Sequence, residues 1–171
     1  MKDPYAPDPQ WTLQGFTSRE MYARQCVYFF DFPTHVHNDI VKSYQTVVHL
    51  MAHAWYHYPM YDEALKKLLG MVEMAVKLRC QEVGILLARP GKNGKEVHKN
   101  LDKLIDELCS SPQDAWLKNQ LHRAREVRNI FAHPAHHSHG GIIWVEAIKL
   151  VTKIIEDVFA LRHVVSSVAQ S

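Results

Sequence analysis

Residues 111–133 read Ser111-Pro112-Gln113-Asp114-Ala115-Trp116-Leu117-Lys118-Asn119-Gln120-Leu121-His122-Arg123-Ala124-Arg125-Glu126-Val127-Arg128-Asn129-Ile130-Phe131-Ala132-His133. Ser111 is an N-cap, Pro112 fits a first turn that needs no backbone N–H, and Asp114 sits where the helix dipole favours negative charge. Pro134 disfavours helical backbone at the residue before it, so the helix should close near His133. At about 100° per residue, Leu121, Ala124 and Phe131 fall within about 40° of Leu117 and define an apolar face. Lys118, His122, Arg125 and Asn129 form a separate stripe near 80–140°. Arg128 breaks the pattern, because it lands at about 20°, in the middle of the apolar face.

The same periodicity extends outward. Ile40, Tyr44, Val47, Met51, Ala54 and Tyr58 predict a long helix over residues 37–58, ended by Pro59. Leu65, Leu68, Val72, Ala75 and Val76 predict a second one, ending near Gly84. A third carries Leu101, Leu104, Ile105 and Leu108 inward with Asp102, Lys103, Asp106 and Glu107 outward, and a last helix covers residues 142–163. Pro4, Pro7, Pro9 and Gly15 suggest an irregular arm over the first 16 residues. Thr17 with Glu20 has the form of a capping box opening a short helix. No stretch shows sustained alternation of apolar and polar residues. The expected class is all-α: an up-and-down bundle of four long helices plus a short N-terminal helix, with residues 1–34 as an arm packed on a bundle domain of residues 35–171.

Composition narrows the function. With 20 Lys and Arg against 18 Asp and Glu, the formal charge is +2, which does not indicate a globally basic nucleic-acid binder but leaves room for a local patch. Cys26, Cys80 and Cys109 are odd in number and widely spaced, which argues against a disulfide framework and against a cysteine zinc site. Residues 1–10 lack an apolar core and do not read as a signal peptide. The apolar segment from Ile142 to Val165 is interrupted by Glu146, Lys149, Lys153, Glu156 and Asp157, which excludes a membrane span. These features predict a cytoplasmic protein. The segment RPGKNGK, residues 89–95, invites comparison with a phosphate-binding loop. It fails, because the glycines are too close, Glu96 follows Lys95, and no strand is expected before it. A solvated interhelical loop is the preferred reading.

Arginine keeps its charge, so on an apolar face it needs a carboxylate, a partner chain or an anionic ligand. One reading is a structural salt bridge inside the bundle, for instance to Glu73. The other is a face that meets a second subunit, with the arginine reserved for a phosphate. His133, at the helix end, sits where the dipole favours a protonated ring. An arginine and a histidine this close are a plausible pair for phosphodiester cleavage. The histidine moves protons, the arginine stabilises charge on the phosphoryl oxygens, and the 2′-OH of RNA serves as internal nucleophile without a metal. A symmetric dimer joining two such sparse pairs makes better chemical sense than one pair alone.

Arg128-Asn129-Ile130-Phe131-Ala132-His133 is an R-x4-H motif with a polar residue after the arginine, placed late in an all-helical domain. It resembles the HEPN family, the nucleotide-binding domain of higher eukaryotes and prokaryotes, over roughly residues 37–165. The resemblance implies a helical homodimer with its motifs facing across a cleft. It implies metal-independent RNA endonuclease activity in many members, often toxins or defence factors. Carried over, Arg128 and His133 would be catalytic, Asn129 would support them, and Glu73 would be the acidic residue that some members supply from an earlier helix. No cofactor is implied. Toxins of the family controlled by an adenylylating partner often carry a tyrosine two positions after the histidine, where this chain has Ala135. Other relatives are non-catalytic regulators or partners of nucleotidyltransferases, which makes an interaction module the alternative; an antitoxin is a further possible partner.

The chain has 12 histidines. His133, His136, His137 and His139 crowd one loop, and His49, His53 and His57 recur along one side of a helix. Imidazoles so spaced could bind Zn²⁺ or Ni²⁺, but no HExxH helix or acidic ligand at fixed spacing accompanies them, so a solvated cluster is preferred and no metal is expected. Lys118, His122, Arg125, His136 and His137 are the candidate phosphate- or RNA-binding groups. The early aromatics Tyr22, Tyr28, Phe29, Phe30, Phe32, Trp55, Tyr56, Tyr58 and Tyr61 are read as core and docking residues rather than base-stacking platforms, since Phe29, Phe30 and Phe32 are too apolar to stay exposed together.

Overall fold

The computed structural model describes residues 3–91, 95–132 and 140–161. These residues are mostly helical: α1 (Pro9–Leu13), α2 (Arg19–Cys26), α3 (Asn38–His53), α4 (Met60–Glu82), α5 (Leu101–Leu108), α6 (Ala115–Ala132) and α7 (Trp144–Ala160). Short 3₁₀ turns at Pro112–Asp114 and Gly141–Ile143 lead into α6 and α7. No described helix is long and apolar enough to cross a membrane.

The longest helix organises the rest. α4 buries Leu65, Leu68, Leu69, Met71, Val72, Ala75 and Val76, a stripe wide enough to meet neighbours on several sides. It packs against α3, α5, α6 and α7. Each such side chain stabilises by about 1.5–3 kcal/mol when fully buried, whereas an exposed ion pair contributes about 0–1 kcal/mol. The apolar stripe therefore holds α4 in place, and the ion pairs along its surface do not. Arg79, near its end, donates from Nη2 to the Leu161 carbonyl at 2.5 Å and so ties the far end of α7 to α4.

Three expectations require correction. The N-terminal arm, irregular for the most part, carries one short helix, α1, that the expectation lacked. Asp8 caps α1 through Gln10 N–H at 3.0 Å, and Pro9 occupies the first turn, where its missing donor costs nothing. Trp11 is fully buried and donates its indole N–H to the Ala54 carbonyl at 2.5 Å. The same arm ends α3 early, at His53 rather than Tyr58. The Trp55 carbonyl accepts from Asp8 N–H at 2.8 Å, and the Tyr58 N–H donates to Asp8 Oδ2 at 3.0 Å, so these backbone groups serve the arm instead of a helical ladder. Finally, the glycine-rich segment is flanked by a two-stranded antiparallel hairpin, β1 (Ala88–Pro90) and β2 (Glu96–His98), with Arg89 opposite Val97. Strands of three residues are too short to show alternation in sequence.

Smaller departures follow local chemistry. Ser18, one residue beyond the expected Thr17, caps α2 by accepting from Met21 N–H at 3.2 Å. Ser111 caps the turn before α6 as expected, accepting from Gln113 N–H at 3.3 Å. Trp11, Phe16, Tyr22, Trp55, Tyr58 and Tyr61 are buried in the core. Phe32 joins them, but Phe29 is 73% exposed, against expectation. The three cysteines are buried free thiols, and burial pushes Cys26 and Cys109 up to about 12 and Cys80 up to about 11.

Candidate functional site

The apolar face of α6 turns inward. Leu117, Leu121 and Ala124 are buried, and α6 packs against α4, α5 and α7. Arg128, on that same face, emerges at the seam between α6 and α4 with its side chain 38% exposed. Its Nη1 lies 2.6 Å from Oε2 of Glu73. The other carboxylate oxygen of Glu73 accepts from Lys77 Nζ at 2.6 Å, so one acid on α4 holds two cations. The salt-bridge reading of Arg128 is thus what the described chain contains, and Glu73 is its partner.

Arg128 also lines a small cavity of about 160 Å³ with Lys66, Leu69 and Phe131. The cavity combines two long cationic side chains with an aromatic and an aliphatic wall. Phe131 meets Trp144 edge-on, with ring centroids 5.7 Å apart, which links the cavity wall to the start of α7. Asn129, the polar neighbour of Arg128, is exposed. His133, His136 and His137 lie outside the described residues.

The remaining candidates form a different arrangement. Lys118 Nζ lies 2.7 Å from Asp106 Oδ1. His122 points one ring nitrogen at Asp102 (3.2 Å) and the other at Asp106 (3.4 Å). Arg125 Nη2 is 3.3 Å from Asp102 Oδ1. Two outward carboxylates of α5, Asp102 and Asp106, therefore each meet two of the three basic groups of α6 along the α5–α6 seam. Lys118, with His122 behind it, holds the Asp106 carboxyl below its usual range. Lys118, His122 and Arg125 are brought together, but beside acids and not beside Arg128's cavity.

Among the described residues, no group of three or more His, Cys, Asp or Glu side chains is placed to hold a metal ion. His49, His53 and His57 are exposed, as expected, with the first two rings 6.4 Å apart.

Comparison with known proteins finds no matching family model, and no curated protein or solved structure with significant similarity.

Two sets of residues escaped the sequence reading. Val127 and Ile130 on α6, with Ile143 and Leu150 at and beyond the start of α7, are exposed apolar side chains. Their signal was available, since Val127 and Ile130 lie well off the apolar face of α6. The second is Asp62, buried to 3% exposure in the first turn of α4. Its Oδ1 accepts from Trp144 Nε1–H at 2.5 Å and Gly140 N–H at 2.9 Å. Nothing local in sequence marks that role, because the partners are 78 and 82 positions away.

Proposed function

We propose that this chain is a HEPN-type, metal-independent endoribonuclease of the cytoplasm, a toxin or defence factor that acts as a homodimer with a composite Arg128/His133 site. In this reading α3, α4, α6 and α7 are the four long helices of an up-and-down bundle. The observation that carries the proposal is Arg128 itself. It is a permanently charged side chain on a helix face otherwise apolar, half-exposed beside a cavity, and held by an acid from an earlier helix. That is the constellation the resemblance leads one to expect of Arg128 and Glu73. A guanidinium held by a carboxylate on one side keeps its fork oriented and presents its remaining N–H donors elsewhere.

The chemistry follows from the groups. His133 of one subunit takes the proton of the ribose 2′-OH. The 2′-oxygen attacks phosphorus while the bond to the 5′-oxygen breaks. A protonated His133 from the second subunit supplies the proton to that leaving oxygen. The products are a 2′,3′-cyclic phosphate and a 5′-hydroxyl. Arg128 stabilises the charge on the non-bridging oxygens, where removal of one such donor costs about 10²–10³ in rate. Val127 and Ile130 bracket Arg128 in sequence and leave an apolar surface that a second copy would cover.

RNA cleavage in EDTA by the purified protein tests this. The expected outcome is cleavage that drops at least about 100-fold in Arg128→Ala and in His133→Ala. Equal cleavage by wild type and both variants overturns the assignment. A monomer in sedimentation at micromolar concentration overturns the composite site.

The second reading, a non-catalytic HEPN-like interaction module that regulates or partners a nucleotidyltransferase, draws on the α5–α6 seam. There Lys118, His122 and Arg125 are met by Asp102 and Asp106, which lowers the positive potential on offer to RNA. It predicts no cleavage and a stable complex with the product of a neighbouring gene.

A further inference from the structure

A carboxylate in the first turn of a helix ordinarily complements the dipole at the surface. Asp62 instead is buried and turned across the fold. Besides Trp144 and Gly140, the Gly141 N–H lies 3.4 Å from the same Oδ1. The neighbouring Tyr58 hydroxyl sits 3.4 Å from both the Gly140 carbonyl and the Ile142 N–H. Burying a carboxylate costs several kcal/mol unless hydrogen bonds compensate it, and bonds to a charged acceptor are the strong ones. The partners are therefore held firmly.

The glycines at this point leave no slack. A Cβ on Gly140 would stand 2.1 Å from Trp144 Nε1, and one on Gly141 would stand 1.8 Å from Tyr58 Cζ. Gly141 also has φ +49°. The indole of Trp144 can occupy its place because Gly140, four residues before it, has no side chain. From there its ring meets Phe131 edge-on, and Phe131 with Arg128 lines the cavity at the α4–α6 seam. A path thus runs from Asp62 to Trp144 by a hydrogen bond and from Trp144 to Phe131 by a ring contact, and Phe131 shares the cavity wall with Arg128.

We infer that Asp62 is a positioning residue for the Arg128 cavity, acting through Trp144 and Phe131. Its value as a catalytic determinant rests on the endoribonuclease reading; the coupling itself rests only on the contacts above. The carboxylate fixes the indole by its N–H, the indole fixes the Phe131 ring, and the ring sets the cavity wall against which Arg128 lies.

The test measures the coupling separately from activity. In the full-length protein, ¹⁵N–¹H spectra report the Trp144 indole N–H and the Arg128 Nε–H. Asp62→Ala is expected to shift both. Ile40→Ala, an equally buried change on α3 away from this path, serves as the control for general loosening and is expected to shift neither. Asp62→Asn, which keeps the shape and one acceptor oxygen, is expected to shift both less, and it carries the same comparison if Asp62→Ala does not fold. In RNA cleavage, Asp62→Ala is expected to lower kcat roughly tenfold or more with KM little changed, as for a misplaced group. An Arg128 Nε–H signal that stays in place when Asp62 is changed, or that moves equally in Ile40→Ala, overturns the inference. If the wild type cleaves no RNA, the endoribonuclease reading fails and the spectra still decide the coupling.

Discussion

Asp62 and Glu73 sit on one helix, three turns apart, and they do opposite work. Asp62 is buried to 3% exposure, and its partners include an indole and backbone N–H groups. Glu73 is 23% exposed and its partners are two cations, Arg128 and Lys77. The first holds fixed neutral donors among its partners and so helps to define a shape. The second balances charge at a partly exposed seam, where solvent screens the pairing. A carboxylate's role is thus set by its partners' chemistry and burial, not by its helix.

That contrast can be broken first at its tightest point. Gly141→Ala forces a Cβ to within 1.8 Å of the Tyr58 ring at a φ of +49°. The expected loss is about 3 kcal/mol or more, because strained backbone and overpacking add. Urea denaturation measures it, and a loss below about 1 kcal/mol would mean the Asp62 corner is soft. Trp144→Phe keeps most of the ring and removes the N–H. It leaves a buried acceptor short of a donor and should cost about 1–3 kcal/mol by the same measurement. Glu73→Gln should be the mildest. A partly exposed pair is worth about 0–1 kcal/mol, so stability should hardly change while Arg128 loses its anchor. In the proposed enzyme this appears as a change in cleavage rate without a change in denaturation midpoint. A large stability loss in Glu73→Gln would erase the distinction between the two acids.

The helices were legible because their signals are local. Ile40, Tyr44, Val47 and Met51 face the core as their spacing predicts, and Ser111 caps where its position predicts. The pairing of Arg128 with Glu73 was legible as one of two alternatives, since an arginine on an apolar face demands an anion. What escaped depends on distance in the chain. Pro4, Pro7 and Pro9 read as an irregular arm, yet Pro9 opens α1, and Trp11 finds its acceptor 43 residues on. The early end of α3 follows from the same arm. The hairpin at Ala88–Pro90 and Glu96–His98 is too short to print a period. Asp62 reads as an ordinary first-turn acid, because its meaning lies in Gly140 and Trp144. Lys118, His122 and Arg125 lie along one stripe, as their spacing predicts. Its neutralisation by Asp102 and Asp106 needed the packing of α5 on α6.

The seat of Trp11 has a consequence for how this chain assembles. Its indole reaches the turn between α3 and α4, and Asp8 occupies two backbone groups of that same turn. The arm therefore works as a keystone: it closes the corner of two helices that adjoin in sequence but cannot finish their own backbone bonding. α3 and α4 can meet early through local contacts, whereas the corner is completed only when a segment some 40–50 positions upstream returns to it. Until then the Ala54 and Trp55 carbonyls and the Tyr58 N–H answer to water, and the last turns before Pro59 are held open.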